Sequence, residues 1–261
     1  LQRKNNNWYG ENSVLGVEVA GVIEDPNEHS HLKKGDRVMG LVNGGGYAEK
    51  AAMPADRVMK IPDNMTFEEA AAIPEVFLTA YQTLYWIGKL QPKEKVLIHA
   101  GGSGVGTAAI QLARQLTDAE IFVTAGTEEK LAVCKRLGAD HLIHYKSQDF
   151  AKEVQRITNK SGVNVILDFI GASYWEKNLT SIALDGRWVL IGVLGGETVD
   201  EINLMGLLRK RVQLLGTTLT PRTDAYKAKL SKEFVEKTYQ LFEAAKLKPV
   251  IDKVFPIEEA D

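Results

Sequence analysis

Residues 99–114 read HAGGSGVGTAAIQLAR, and positions 101–106 within them hold four glycines and a serine. The apolar run Val96-Leu97-Ile98 leads in. A helical stripe of Val105, Ala108, Ala109, Leu112, Ala113 and Leu116 leads out. A glycine loop between a strand and a helix is where a pyrophosphate is held. The N–H groups at the helix N-terminus point at the anion, the helix dipole favours its charge, and glycine stands where a Cβ would strike the phosphate. The strict G-x-G-x-x-G spacing is not met: Gly102 and Gly104 fit, but the third place holds Thr107. The competing reading is a plain tight turn. The strand–loop–helix context favours the nucleotide site, with Gly102, Ser103, Gly104 and Val105 at the phosphates.

Working outward, the same unit repeats. Apolar strand patterns at 95–99, 121–125, 141–145, 163–168, 187–193 and 212–217 alternate with helical ones, which predicts a doubly wound parallel sheet covered on both faces. Leu131, Cys134 and Leu137 mark one helix, with Gly138 as its C-terminal cap. Ser173-Tyr174-Trp175-Glu176 reads as a capping box ahead of Leu179, Ile182 and Ala183. The flanks differ. Residues 14–61 are short β-rich stretches broken by Gly and Pro, pointing to a small antiparallel barrel or sandwich. Thr66 to Glu69 reads as a capping box for a short helix ended by Pro74, and a second helix spans about 75–87. Beyond Thr217 a helix at about 226–245 and a strand at 250–255 return to the β-rich part. The division expected is 1–86, 87–217 and 218–261.

The 261 residues carry a net charge of −2 and one cysteine, Cys134, so an intrachain disulfide and a cysteine-rich zinc site are excluded. A reducing, cytoplasmic setting is the default. No signal peptide or membrane-length apolar run is present, and the weak charge disfavours nucleic acid. The chain opens on Leu1 and closes on Pro256 to Asp261, which reads as the start of a helix; both ends read as cut.

The end of the second strand selects the cofactor. An NAD-preferring fold usually places an acid there for the ribose 2′-hydroxyl. Here Ala125, Gly126 and Thr127 occupy it, and Glu128 and Glu129 follow in the next helix. A 2′-phosphate is then tolerated, with Thr127 donating a hydrogen bond and Lys130 supplying charge, so NADPH is favoured over NADH. The alternative is that Thr127 is only an N-cap and Lys130 a solvated lysine.

Several stretches together, AGGSGVGTAAIQLA, LGAD, GVNVILDFIG, ALDGRWVLIG, LLRKRVQLLGTTL and AAAIPEVFLTAYQTL, resemble the medium-chain dehydrogenase/reductase superfamily, most of all its zinc-independent, zeta-crystallin-like quinone oxidoreductases. The resemblance implies a Rossmann-type domain, a GroES-like catalytic domain, and the nicotinamide in the cleft between them. It further implies cofactor contacts at Thr79, Tyr145, Ile170, Gly171, Gly192 and Leu194, although Thr79 and Tyr145 also suit a core and a strand-end position. In the zinc-dependent relatives a Gly-His-Glu segment carries a ligand; here it is Gly16-Val17-Glu18, and no cysteine ligand stands in place. His29 and His31 beside Glu28 read as a solvated loop, and His99, His141 and His144 as structural residues. Without a Lewis acid, alcohol oxidation is disfavoured and reduction of a ready hydride acceptor is favoured.

The expectation is therefore an NADPH-dependent quinone reductase without metal. The alternatives are an enal or enone double-bond reductase, which needs a proton donor such as Tyr9 or Tyr47, and a non-catalytic NADPH-binding structural or RNA-binding module. Tyr9 is the one candidate catalytic residue. The stretch from Asn5 to Asn12, with Trp8, lacks the family's proline-rich Gly-x-Tyr-Pro, and TLTPRTDAYK departs from its arginine-serine pattern, which leaves the substrate open. Pairing of sheet edges in the resembling family implies a homodimer through 199–208 and 212–217, an edge charged by Arg209, Lys210 and Arg211.

Overall fold

A computed structural model describes residues 14–28 and 31–259. The chain divides into two compact units, one formed by residues up to Thr79 together with Thr218 onward, the other by Ala80–Thr217.

The first unit begins with three antiparallel strands in the order β1-β2-β3: β1 (Glu18–Val22), β2 (Arg37–Leu41) and β3 (Met59–Lys60). Glu18 stands opposite Leu41, and Met39 opposite Met59. The capping box forms as expected. The Thr66 hydroxyl accepts from Glu69 N–H, the Glu69 carboxylate accepts from Thr66 N–H, and α1 (Phe67–Ala71) follows. Helix α2 (Pro74–Tyr81) opens on proline, whose missing N–H is no loss in a first turn. The expected helix continues to Ile87, but Gln82–Ile87 is wound as a π-helix, with Gly88 N–H donating to Thr83 C=O at 2.9 Å.

The second unit is a six-stranded sheet, parallel throughout: β4 (Lys95–Ile98), α3 (Gly104–Thr117), β5 (Glu120–Ala125), α4 (Glu128–Arg136), β6 (His141–His144), α5 (Phe150–Ile157), β7 (Val163–Asp168), α6 (Trp175–Ser181), β8 (Ile182–Leu190), α7 (Leu204–Lys210) and β9 (Gln213–Gly216). The spatial order is β6-β5-β4-β7-β8-β9. It reverses between β4 and β7, which opens a crevice at the carboxyl ends of those strands. One layer of the core gathers Leu97, Phe122, Ile143, Phe150, Val154, Ile166 and Trp188, all buried. The near-continuous apolar strands follow from burial on both faces.

Two expectations fail here. Ser173 does not cap a helix: Ala172–Tyr174 winds as a 3-10 turn, and α6 starts after Tyr174 with no side-chain cap. The Ser-x-x-Glu spacing is met, but the backbone at Ser173 is already turning. Residues 250–255 form no strand. Their β-branched and aromatic residues suit a strand, yet a strand exists only with a ladder partner, and no described segment supplies one.

The edge of this unit is tied by specific bonds. Lys210 Nζ donates to the carbonyls of Leu179, Thr180 and Ile182, at 2.7–2.8 Å, and Arg211 pairs with Asp185. These side chains, expected to charge an open edge, are engaged within the unit.

Helix α8 (Asp224–Glu243) belongs to the first unit and is capped by Thr223, whose hydroxyl accepts from Tyr226 N–H. Its Phe234 and Phe242 pack with Phe77, the Phe77–Phe242 pair edge-on at 5.3 Å. Lys227 and the fully buried Arg57 both donate to Asn43 Oδ1, at 3.2 and 2.9 Å, and Arg57 also pairs with Asp224.

On β1, Glu18 Oε2 accepts from Glu75 N–H at 2.8 Å. Burial pushes the Glu18 carboxyl from about 4.5 up to about 7, against the lowering effect of that hydrogen bond. Between these values the folded chain keeps a proton that the unfolded chain has released, so this group's contribution to stability falls as pH rises through that window. Glu18→Gln keeps an acceptor for the Glu75 N–H and removes the ionisation. The variant should match the wild type near pH 4 and exceed its stability at pH 8 by up to about 3 kcal/mol. Denaturant titrations at the two pH values check this; an equal difference at both would contradict it.

Candidate cofactor site

The crevice at the strand order reversal is a cleft of about 440 Å³. Three loops line it. The first is the glycine loop after β4, through Ala100, Gly102 and Ser103. Ala100 sits in the left-handed region, φ 48°, a strained conformation for a residue with a side chain and one that turns the chain sharply out of the strand. Ser103 caps α3, its hydroxyl accepting from Gly106 N–H at 3.1 Å. A Cβ at Gly106 would collide with the carbonyl oxygens of Ala100 and Gly101. The third glycine of the fingerprint is thus supplied one place early, by Gly106. Thr107 is turned inward and donates to Gly104 C=O at 2.9 Å. Gly104 and Val105 form the first turn of α3 and are not among the lining residues.

The second segment is the end of β5 and the turn that follows it, Thr124, Ala125 and Gly126, with Lys130 and Tyr145 beside it. A Cβ on Gly126 would lie 2.8 Å from the Tyr145 hydroxyl, so glycine is what lets the tyrosine close over the strand end. The Lys130 side chain runs along Gly102. Thr127 is the N-cap of α4, its hydroxyl accepting from Lys130 N–H at 3.3 Å, and it does not line the cleft. Glu128 and Glu129 stand exposed in the first turn. The α4 N-terminal amide holds the Glu129 carboxyl below its ordinary range.

The third loop follows β7 and β8: Ile170, Ser173, Tyr174, Leu194 and Gly195. The two segments are laced by Gly195 N–H to Ile170 C=O at 2.7 Å and Ala172 N–H to Gly196 C=O at 2.9 Å. Gly171 and Gly192, also expected at the cofactor, are not among the lining residues. Burial, with smaller effects from Tyr145 and Asp168, pushes the Tyr174 phenol up to about 12, so it stays protonated at neutral pH.

Of the residues expected to hold the cofactor, the fold gathers Gly102, Ser103, Gly126, Lys130, Tyr145, Ile170 and Leu194 around one cleft. Thr79 lies buried in the first unit and is not part of that lining. Sequence reasoning placed Ala125 at the strand tip but missed Ala100, Thr124, Ser173, Tyr174 and Gly195. Ser173 and Tyr174 were obscured by their resemblance to a helix start; Thr124 could have been found, since it precedes Ala125 at the end of the strand whose tip selects the cofactor. Tyr9, Trp8 and His29 lie outside the described residues. Among the described residues no three His, Cys, Asp or Glu side chains are grouped to hold a metal, and no helix is long and apolar enough to cross a membrane.

The cleft fits a dinucleotide on this chain's own features: a serine-capped 14-residue helix aimed from a glycine loop, and a neighbouring strand tip with a lysine and no carboxylate. Comparison with known proteins agrees. Residues 104–235, half of the chain, match the zinc-binding dehydrogenase family, and residues 2–63 match the alcohol dehydrogenase GroES-like domain. The human synaptic vesicle membrane protein VAT-1 homolog is 34% identical over 258 residues, covering 94% of this chain; the chain spans 65% of that protein's length. Among solved structures, Escherichia coli quinone oxidoreductase complexed with NADPH superimposes with a TM-score of 0.81 at 28% identity, covering 94% of this chain and 76% of that one. The CurK enoyl reductase does so with a TM-score of 0.81 at 32% identity, covering 94% and 73%. A parallel sheet reversing at a glycine loop, preceded by a small antiparallel sheet, and two family matches over those same parts place this chain in the medium-chain dehydrogenase/reductase superfamily of oxidoreductases.

Proposed function

We propose that the chain is an NADPH-dependent quinone reductase that works without a metal. The observation that carries the reading is the tip of β5. It has no acid for a ribose 2′-hydroxyl, and Lys130 and the Tyr145 hydroxyl stand beside it. An ammonium and a phenol suit a 2′-phosphate. The first turn of α3 would hold the diphosphate, and the Ile170–Gly171 and Leu194–Gly195 segments would form the wall on the β7 side. When bound, the cofactor supplies a hydride, which a quinone accepts without a dedicated proton donor. Val17 in place of a histidine ligand supports a metal-free route.

A second reading, reduction of an enone double bond, is favoured by one observation. Such a reaction needs a proton donor at the α-carbon, and Tyr174 is a protonated phenol in the cleft wall. The similarity to the CurK enoyl reductase adds weight. NADPH oxidation followed with quinones and with enones separates the two. Turnover of quinones alone, retained in Tyr174→Phe, is the expected result. Turnover of enones alone, lost in Tyr174→Phe, would replace it with the second reading. Tight cofactor binding with neither activity would favour a non-catalytic binding module.

Lys130→Glu should weaken NADPH roughly ten- to a hundredfold, one charge-assisted contact being worth about 1.5–3 kcal/mol, and leave NADH little changed. Fluorescence titration with both nucleotides reads this directly; equal losses would remove Lys130 from the 2′-phosphate.

We also propose a homodimer through the β9 edge. Strand β9 is largely exposed, and Leu204 and Leu208 of α7 are 65% and 69% exposed, whereas Leu207 packs inward on the core. An unpaired edge beside apolar side chains suits two-fold pairing. Light scattering should give twice the chain mass for the wild type and the chain mass for Leu204→Glu/Leu208→Glu. A monomeric wild type, or a dimer unaffected by the substitutions, would refute the interface.

A further inference from the structure

Beneath the cleft lies a buried carboxylate that the proposed chemistry does not use. Asp168 ends β7 and is fully buried. Its Oδ1 accepts from the N–H groups of Ile170 and Gly171, at 2.8 and 3.1 Å, and its Oδ2 from Asn178 Nδ2 and Trp188 Nε1, both at 3.0 Å. All four partners donate and none is a cation; among the described residues Asp168 enters no ion pair. An acid proton there would have nothing to bond to, so the hydrogen bonds fit the ionised form. Burying a charge is tolerated only where N–H dipoles replace water, and here they do.

The chain of bonds runs on to the cleft floor. Asn178 gives its amide N–H to Asp168, so its Oδ1 must accept, and it accepts from His99 Nε2–H at 2.7 Å. The His99 ring is buried, and burial drives its pKa down, which keeps it neutral. Its Nδ1 therefore accepts from the Thr124 hydroxyl at 2.9 Å. Every donor along the row points toward Asp168. The network neutralises nothing: it carries one net negative charge, two residues away from Ile170 in the cleft wall.

We propose that Asp168 sets the redox balance of the nicotinamide cofactor, holding the oxidised form more tightly than it otherwise would be held. This rests on the reading of the cleft as a nicotinamide dinucleotide site. Dinucleotides lie across the strand order reversal with their halves on either side, and the adenosine half belongs with Lys130 and Tyr145, which leaves the β7 side for the nicotinamide. On hydride transfer the C4 hydrogen would pass to the acceptor with both electrons of its C–H bond, and the nicotinamide ring would be left as a cation. Asp168 interacts with that new charge and hardly at all with the neutral reduced ring. The bound cofactor is thereby made the stronger reductant. Asp168 does not touch the reacting atoms; it acts as a fixed charge behind the wall it positions.

The test is the ratio of dissociation constants for NADP+ and NADPH, measured by calorimetry on the intact chain. In Asp168→Asn the ratio of the NADP+ to the NADPH constant should rise roughly tenfold, the scale of one buried charge at protein effective dielectric. Tenfold corresponds to about 30 mV in the potential of the bound two-electron couple. Trp188→Phe is the control: it removes one of the four hydrogen bonds and keeps the charge, so stability should fall with the ratio unchanged. If Asp168→Asn folds too poorly to titrate, Asp168→Ser, a smaller neutral acceptor, carries the same comparison. A fall in both affinities by one common factor, or a ratio shift in Trp188→Phe as large as in Asp168→Asn, overturns the proposal and leaves the cofactor reading intact. A wild type that binds neither nucleotide overturns both.

Discussion

A carboxylate without water must be surrounded by N–H groups, and at Asp168 that requirement organises the centre of the second unit. Two donors come from the peptide bonds that follow it, one from α6 and one from the indole on β8. Through Asn178 and His99 the same requirement reaches the top of β4 and the side chain of Thr124 on β5. Four of the six strands are thus coupled at their carboxyl ends by one acceptor. The aromatic rings around His99, with Phe150 and Tyr174 edge-on at 4.8 and 4.9 Å, close the apolar layer over it. The cleft walls above hold their shape because what lies beneath them has so few alternative arrangements.

The first unit solves a related problem differently. Arg57 is fully buried, and one amide oxygen, that of Asn43, serves both it and Lys227, while Asp224 supplies the opposite charge. Glu18 accepts from a backbone N–H, and its burial pushes its proton affinity up. Buried ionic groups of this kind contribute little net stability compared with apolar packing, but removing one partner of a pair leaves the other uncompensated.

Much of this was legible in the sequence, for reasons that differ from element to element. The parallel sheet showed itself because strands buried on both faces must be apolar along their whole length, as in Val163–Asp168. The glycine loop showed itself through the backbone it needs, although the third glycine had to be seen in space to be found at Gly106. The Thr66 capping box was readable because it is local. The identical logic misled at Ser173, where the turn out of β7 takes precedence over the helix signal; at 250–255 the strand-favouring residues could not by themselves supply a partner strand. The Asp168 network was invisible in sequence: its members are 99, 124, 168, 178 and 188, with no spacing to mark them. The outward face of Leu204 and Leu208 and the inward face of Leu207 likewise depend on how α7 is set down on β8.

Lys210 shows how narrowly a surface position can be specified. An ammonium has three N–H bonds, and three carbonyls at the end of α6 and the start of β8 take all of them. Arginine would bring the same charge but a flat, wider fork unable to converge on three oxygens from one atom. Exchange for arginine at this position would therefore break the three-carbonyl contact even though the charge is kept. Its chemical masking would act in the same way: an acetyl group on the nitrogen would strip the charge and leave one donor for three acceptors, loosening the turn between α6 and β8 without touching the cleft.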